Sequence, residues 1–238
     1  GFQSVSKKFS TGKWLKLALK KIKEIKKRKK IPILVGGTGL YFRALTDGLV
    51  KIPNISIKKR NQIIRLQKKL GQKKFYQQLI KIDLLIKNKI NSNDIQRSIR
   101  AYEIKKFTKK SIIKWFEETS IFFEPNAFLK IYLDFPRDDL ILKINKRVDK
   151  MFNNGAIKEV KKFNKLKVKR DYSPNKVIGI KEITNLIKGK SNLQQTKEQI
   201  SIKTRQYAKR QNTWARGQMT SWQKINPNNL RLTLKKLT

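Results

Sequence analysis

The stretch Ile31-Pro-Ile-Leu-Val-Gly-Gly-Thr-Gly-Leu-Tyr41 decides the fold that the sequence predicts. Residues 31–35 are apolar and largely β-branched without alternation, which is the pattern of a strand buried on both faces of a parallel sheet. A glycine turn (residues 36–39) follows, and apolar residues then recur at helical spacing at Leu40, Tyr41, Ala44 and Leu45. A strand, a glycine turn and a helix in this order predict an α/β fold with a doubly wound parallel sheet.

The flanking sequence predicts a helix-rich chain around this unit. Residues 10–30 have one apolar stripe at helical spacing, and Pro32 blocks its continuation. Residues 51–125 lose the strand signals and suggest several short helices, so we predict a helical insertion there. Residues 130–135 return to a strand, Asp138 or Asp139 caps the next helix, and the last clear helix covers about 196–216. The predicted domains are a core of residues 1–50 and 126–238 and an insertion of residues 51–125.

Composition restricts the chemistry. The 238 residues contain 59 Lys and Arg, 16 Asp and Glu, and neither Cys nor His, which gives a net charge of +43. The chain therefore has no zinc finger, disulfide or Ser-His-Asp site. So large a positive charge implies a polyanionic partner, although part of the lysine excess fits drift in an AT-rich genome. No apolar run approaches the roughly 18 residues that a membrane span needs, so no membrane partner is expected.

The glycine turn is the first candidate site. A strand that ends in glycines just before a helix points backbone N–H groups outward, and such groups bind phosphate. No Gly-Lys-Ser/Thr follows at the spacing of a Walker A loop. The alternative is a tight strand-to-helix connection that binds no ligand.

The segment around Asp94 is the second candidate site. Asp94 has the position of an N-cap, and Gln96, Arg97 and Arg100 share one face of the helix that begins there. Two arginines and an amide at a helix start suit a phosphate clamp or hydrogen bonds to base edges. The alternative is a surface salt bridge, such as Arg100 with Glu103 or with Asp94.

A basic helix near the end of the chain is the third candidate site. Arg205, Lys209 and Arg216 form one stripe, and Lys203 and Arg210 form a second. The aromatic side chains of Tyr207 and Trp214 either belong to the core, which their apolar face favours, or stack on a base. The stripe predicts contact with an RNA backbone. A weaker fourth signal is Gly179 between Lys176 and Lys181, where the main chain can approach a ligand closely.

Taken in order, these segments resemble the tRNA dimethylallyltransferases. The strand, the Gly-Gly-Thr-Gly-Leu-Tyr turn and the helix after it resemble that family's signature. Further similarity lies in Asn93-Asp94 with Arg97 and Arg100, in Arg147-Val-Asp-Lys-Met151 with Gly155, and in Gly179-Ile-Lys-Glu182. The motif Thr204-Arg-Gln-Tyr-Ala-Lys-Arg-Gln-Asn-Thr-Trp214 is the most specific, and the similarity covers nearly the whole chain.

The resemblance implies a partial P-loop-type parallel sheet core flanked by helices, with the helical insertion gripping the anticodon arm. It implies transfer of a dimethylallyl group from dimethylallyl diphosphate to N6 of the adenosine at position 37, flipped out of its stack, with Mg²⁺ on the diphosphate. It also implies a cytoplasmic monomer. Thr38 and Arg205 would be catalytic, and Gly36, Gly37 and Arg205 would bind the diphosphate. The implied tRNA contacts are Thr38, Arg60, Gln96, Arg97, Arg100, Lys176, Gly179, Lys181, Lys209, Arg210, Gln211, Trp214 and Arg216.

The chain departs from the family pattern in two places. Ile180 occupies a position that is usually aromatic in the family. The family's phosphate-binding loop and its general-base aspartate, where the Mg²⁺ ligands are also expected, both precede residue 1. We therefore expect an N-terminally truncated fragment that binds RNA better than it catalyses. The alternative function is a non-catalytic basic RNA-binding protein, which has no need of the glycine turn. A P-loop nucleotide kinase relative is disfavoured by the arginine-rich helix.

Overall fold

The computed structural model describes residues 3–7, 9–124, 126–169 and 172–235. Gly1, where the sequence predicts a truncation, lies outside these ranges, as does Pro125 at the end of the predicted insertion. The described part is mostly helical, with one small sheet. Its helices are α1 (Thr11–Lys27), α2 (Gly39–Thr46), α3 (Ile57–Ile82), α4 (Ile95–Thr108), α5 (Ile112–Glu117), α6 (Arg137–Asn153), α7 (Ala156–Lys165), α8 (Ile180–Ile187), α9 (Leu193–Gln218) and α10 (Leu230–Lys235).

The sheet consists of two short parallel strands, β1 (Ile131–Leu133) and β2 (Gln223–Ile225). Ile131 is opposite Gln223, and Leu133 is opposite Ile225. β1 lies within the strand predicted at 130–135, whereas no sequence signal predicted β2. Parallel strands need a long crossover connection, and here it contains helices α6 to α9.

The chain forms two compact units, Gly1–Phe42 with Asn126–Thr238, and Arg43–Pro125. The second unit is built on α3 and α4, whose apolar sides enclose Phe75, Leu79 and Ile104, each with no exposed surface. α3 contains a kink at Gly71, where φ is 71° and ψ is 165°. The sequence predicted several short helices for this region, whereas the structure has one long, kinked helix followed by shorter ones.

The first unit has its own apolar core between α6, α7, α8 and α9. Val148, Val160, Ile183 and Ile200 are its buried members, with Ala156. α6 begins after Pro136, which occupies the N-cap position, so the predicted capping by Asp138 or Asp139 is wrong. Both aspartates lie in the first turn instead, where their charge is favourable at the positive end of the helix dipole.

The buried strand predicted at residues 31–35 is not present. The segment has no strand pairing, and Ile31, Ile33 and Val35 are 86%, 81% and 91% exposed. The alternate residues Pro32 and Leu34 are half-buried. An apolar run becomes a buried strand only where neighbouring strands supply hydrogen bonds and other residues cover both of its faces. Among the described residues, no strand pairs with this segment, and the face formed by Ile31, Ile33 and Val35 is left uncovered. None of the helices described has the length and hydropathy to cross a membrane.

Candidate functional site

The glycine turn leads directly into α2. The backbone N–H of Tyr41 donates to the carbonyl oxygen of Thr38 at 2.9 Å, which closes the first turn of the helix. Gly36, Gly37 and Thr38 are exposed. Within the described part of the chain, the N–H groups of these three residues donate no hydrogen bond. The turn therefore presents unsatisfied main-chain donors at the start of a helix, as a phosphate site requires.

Helix α9 contacts this turn directly. The side-chain amide of Gln211 donates to the carbonyl oxygen of Gly37 at 2.7 Å. A Cβ atom on Gly37 would overlap that amide, and one on Gly39 would overlap the Trp214 ring, whereas one on Gly36 would have only Phe42 nearby, at 3.9 Å. Gly39 is thus required by the close approach of the Trp214 ring, whereas at Gly37 the overlapping atom is the end of the flexible Gln211 side chain.

A cavity of about 330 Å³ opens beside the turn. Its walls come from α1, the 34–38 segment and α2, and Thr38 is one of its few polar groups. The rings of Trp14 and Tyr41, which also line it, stack at 4.5 Å with an interplanar angle of 11°. This is an apolar groove with a polar edge at Thr38. No sequence pattern predicted that Trp14 would form one of its walls.

A second cavity, of about 470 Å³, lies along α9 and is lined by Gln206, Lys209, Arg210, Thr213 and Trp214. Trp214 is shared, since its ring also meets the glycine turn. Tyr207 is 43% exposed, so its predicted preference for the core is wrong, and the Arg210 guanidinium lies 5.6 Å from its ring centroid. Predicted tRNA-binding residues are thus gathered at one surface of α9.

Arg205 lies apart from the Gln211 contact. It precedes Gln211 by six residues, which on a helix is about 9 Å along the axis and roughly 120° around it. Arg205 is half-buried, and no ion pair or hydrogen bond of its side chain is found within the described residues. It lines neither cavity. Its assigned role at the diphosphate stays a prediction, as do the roles of Gly36, Gly37 and Thr38.

The turn at 176–181 is fixed by a carboxylate that sequence reasoning did not single out. The Glu182 carboxylate accepts the backbone N–H of Gly179 at 2.8 Å and also binds the ammonium of Lys203 on α9. Burial raises the pKa of Glu182, but the hydrogen bonds from Lys203 and from the backbone N–H groups outweigh burial and leave that pKa below its usual value. Lys176 and Lys181 are exposed on either side.

In the 43–125 unit, the candidate arginines are paired with acids. Asp94 caps α4 by accepting the backbone N–H of Arg97 at 2.9 Å, and its other oxygen binds the Arg97 guanidinium at 2.7 Å. Arg100 binds Glu103, which is only 1% exposed. Arg60 on α3 approaches the same carboxylate, with 3.9 Å between its Nε and Oε2 of Glu103.

These pairs match the salt-bridge alternative for Arg97 and Arg100, but Glu103 is buried and not on the surface. Oε2 of Glu103 has no hydrogen-bond partner within the described residues. Gln96 is exposed beside Arg97. Contact of Arg60, Gln96, Arg97 and Arg100 with tRNA stays a prediction, because pairing with an acid orients a guanidinium without using all five of its N–H donors.

Comparison with known proteins gives this arrangement a family. The IPP transferase family model matches residues 1–218. A tRNA dimethylallyltransferase of Pelagibacter ubique is 56% identical over 237 residues, which is all of this chain and 76% of that protein. The tRNA dimethylallyltransferase of Rickettsia massiliae is 42% identical over 219 residues, or 92% of this chain, and the chain spans 60% of that protein's length.

Solved structures agree with the sequence comparisons. A eukaryotic dimethylallyltransferase acting on tRNA superposes with a TM-score of 0.74 at 28% identity, over 90% of this chain and 55% of that one. The tRNA isopentenylpyrophosphate transferase of Bacillus halodurans gives 0.59 at 31% identity, over 94% and 69% of the two chains. The predicted fold class is confirmed, since these P-loop-like α/β proteins share it.

The family match and the relatives in sequence and structure therefore define a tRNA-modifying prenyltransferase. More particularly, the chain belongs to the IPP transferase family, whose members compared above are named tRNA dimethylallyltransferase or tRNA isopentenylpyrophosphate transferase. The family resemblance predicted from the motifs is confirmed.

Proposed function

We propose that this protein transfers the dimethylallyl group of dimethylallyl diphosphate to N6 of the adenosine at position 37, next to the anticodon of its substrate tRNAs. The observation that carries the proposal is the contact between the glycine turn and α9 through Gln211 and Trp214. In this contact, a glycine turn with exposed main-chain N–H groups lies beside a helix whose outer surface is basic and aromatic. Two such adjoining surfaces suit a reaction between a diphosphate and an RNA strand.

The chain's own residues would carry the transfer as follows. The N–H groups of Gly36 and Gly37 bind the diphosphate, and Arg205 balances its growing negative charge. The hydroxyl of Thr38 contacts the tRNA and takes part in the transfer step. The bond from the allylic carbon to the diphosphate oxygen breaks, a bond from that carbon to N6 forms, and N6 loses one proton. We assign no base for that proton to a described residue.

Mg²⁺ remains part of the proposal only as a companion of the diphosphate. The described residues contain no cluster of three or more Asp or Glu side chains that would hold a metal ion. No step above is assigned to the ion, which would be held chiefly by the diphosphate oxygens.

The proposed tRNA contacts are spread over both units. The α9 surface supplies Lys209, Arg210, Gln211, Trp214 and Arg216, and the 176–181 turn supplies Lys176, Gly179 and Lys181. In the other unit Arg60, Gln96, Arg97 and Arg100 would bind the anticodon arm. A net charge of +43 supports a polyanionic substrate. With tRNA as substrate, we propose a cytoplasmic monomer.

The decisive experiment supplies the protein, expressed from its own gene, with radiolabelled dimethylallyl diphosphate and unmodified tRNA carrying adenosine at position 37. We expect label in N6-dimethylallyladenosine after nuclease digestion, and none with a matched tRNA carrying guanosine there. The second candidate, a non-catalytic basic RNA-binding protein, is favoured by the charge of +43. Tight tRNA binding without any transfer of label would support that candidate and contradict ours.

A further inference from the structure

We propose that Glu182 is a positioning residue for RNA binding, which holds the 176–181 turn and α9 in one fixed arrangement so that their lysines act together on the RNA backbone. This inference rests on the proposed function, because it needs tRNA as the ligand. It adds a residue that contacts no RNA itself. It begins from a carboxylate that is 3% exposed in a chain with only 16 acidic residues.

Both oxygens of Glu182 are used, and their partners belong to different segments. Oε2 accepts the backbone N–H of Gly179, the N-cap of α8, at 2.8 Å. Oε1 binds the ammonium of Lys203, which lies 21 residues further along the chain. One carboxylate therefore connects the turn to α9, with one partner on each of its oxygens.

The turn needs such a clamp because of its backbone. Gly179 has φ 107° and ψ −33°, a conformation that L side chains rarely adopt. Its N–H is buried, and a buried donor without an acceptor costs free energy. Glu182 satisfies this donor and so selects the conformation that leaves Lys176 and Lys181 exposed on either side.

Packing alone does not explain the carboxylate. α8 and α9 already share an apolar core through Ile183 and Ile200. A buried ion pair is often no better for stability than an apolar pair of similar size, whereas it fixes one geometry. In this chain it also places a negative charge between cationic segments, which reduces the repulsion between Lys203 and the lysines of the turn as both approach the same polyanion.

The consequence for RNA is a shared register. Lys203 precedes Lys209 by six residues, so the clamp lies about 9 Å along α9 and roughly 120° around it from the first of the cations proposed to bind RNA. If the turn is released from α9, Lys176 and Lys181 can still contact phosphate, but they no longer do so in register with Lys209 and Arg216. Loss of Glu182 should therefore weaken tRNA binding and reduce its dependence on salt.

The test measures the equilibrium dissociation constant for unmodified tRNA across a series of salt concentrations, together with the KM for dimethylallyl diphosphate. Glu182→Gln keeps an acceptor for Gly179 and loses the ion pair, and Glu182→Met loses both. Lys203→Met removes the other partner. The matched control is Glu198→Gln, which changes an exposed carboxylate on the same helix.

We expect Glu182→Met to weaken tRNA binding by about tenfold and to lower the salt slope by about one unit, as losing one or two phosphate contacts does. Glu182→Gln should fall between it and the wild type, and the KM for dimethylallyl diphosphate should not change. The double variant Glu182→Met with Lys203→Met should bind tRNA no more weakly than the weaker-binding of the two single variants, since both substitutions remove the same link.

A folded Glu182→Met protein with wild-type affinity and salt slope would overturn the proposal. If that variant does not fold, the same criteria apply to Glu182→Gln, whose shape and backbone acceptor are conserved. A purely structural role would lower thermal stability while leaving the salt slope of the folded protein unchanged, and this also counts against the proposal. Failure of the proposed function is a separate result, because the wild-type protein and Glu198→Gln would then transfer no dimethylallyl group, whether or not they bind tRNA.

Discussion

The side-chain amide of Gln211 donates a 2.7 Å hydrogen bond to the carbonyl oxygen of Gly37, across 174 residues of sequence. This bond joins the glycine turn to α9, the helix that carries the motif of residues 204–214. Gln211 has another assignment in the sequence, as a residue that contacts tRNA. Its amide has a second N–H and an oxygen beyond the bond to Gly37, so the two roles are compatible.

Replacing Gln211 with alanine should separate the turn from α9. We expect a loss of about 1 kcal/mol in the free energy of unfolding, as for a typical hydrogen bond. The activation free energy of the transfer should rise by more than the free energy of unfolding falls, because the turn positions the diphosphate. Steady-state kinetics and urea unfolding measure the two effects, and Gln194→Ala, an exposed amide at the start of the same helix, is the control. Equal turnover in both variants would contradict the role of this bond.

The contact between Gly39 and Trp214 predicts a second effect. Gly39→Ala adds a Cβ that overlaps the indole, so the ring must move or the turn must open. We expect a destabilisation of about 1–3 kcal/mol, typical of overpacking, with a shift in tryptophan fluorescence. Gly36→Ala is the matched control for stability, because its Cβ would have only Phe42 at 3.9 Å. If both variants unfold at the same denaturant concentration, the close approach of Trp214 does not constrain the turn.

The sequence predicts local features of this fold well and spatial ones poorly. Asp94 was predicted as an N-cap, and it caps α4, because capping depends on residues within three positions of it. The strand predicted at 31–35 failed, because burial depends on neighbours in space and not on the apolar run itself. The part of Glu182 was missed although its contact with Gly179 follows a local pattern, a glutamate three residues after an N-cap. Its other partner, Lys203, is 21 residues away, and no local pattern predicts that contact. The resemblance in sequence motifs identified the family, because proteins that share these motifs also share the spatial contacts that a single sequence does not reveal.

Replacing Arg97 and replacing Arg100 with alanine should lower the free energy of unfolding by different amounts, although both arginines are paired with an acid. The Arg97 side chain is 74% exposed and its pair with Asp94 is worth at most about 1 kcal/mol. Arg100→Ala would leave the buried Glu103 carboxylate with only Arg60 at 3.9 Å, and such a loss costs about 3–5 kcal/mol. Urea unfolding of the two alanine variants measures this difference. Equal midpoints would show that Arg60 moves in and replaces Arg100.

The same two variants test the proposed contact with the anticodon arm. Each alanine should weaken tRNA binding by about 1–3 kcal/mol if the guanidinium meets a base edge or a buried phosphate. The measurement is a binding titration at physiological salt, under conditions in which unfolding experiments show the variant to be folded. Unchanged affinity in Arg97→Ala would mean that its only function is the exposed pair with Asp94.

Thr38→Ala and Arg205→Ala should affect turnover more than tRNA affinity. The reason is that both side chains are assigned to the transfer step, in which charge on the diphosphate grows only as the allylic bond breaks. Comparing the kcat of each variant with its tRNA dissociation constant separates the two effects, and Lys209→Ala, assigned to tRNA alone, should show the opposite pattern. An equal loss in both quantities for Thr38→Ala or Arg205→Ala would contradict the catalytic roles of these residues.

Acid should weaken the clamp at Glu182. Its pKa in the folded protein lies below the usual value, so the ionised carboxylate stabilises the folded state. This contribution is complete above the unfolded pKa of about 4.3 and is lost as the pH falls through the folded pKa. Glu182→Gln has no such carboxylate, so the difference in unfolding free energy between it and the wild type should shrink as the pH falls below about 4.3. Subtracting the two curves cancels the other acids, which titrate in both proteins. A difference for Glu182→Gln that stays flat across this pH range would mean that the Lys203 pair does not stabilise the fold.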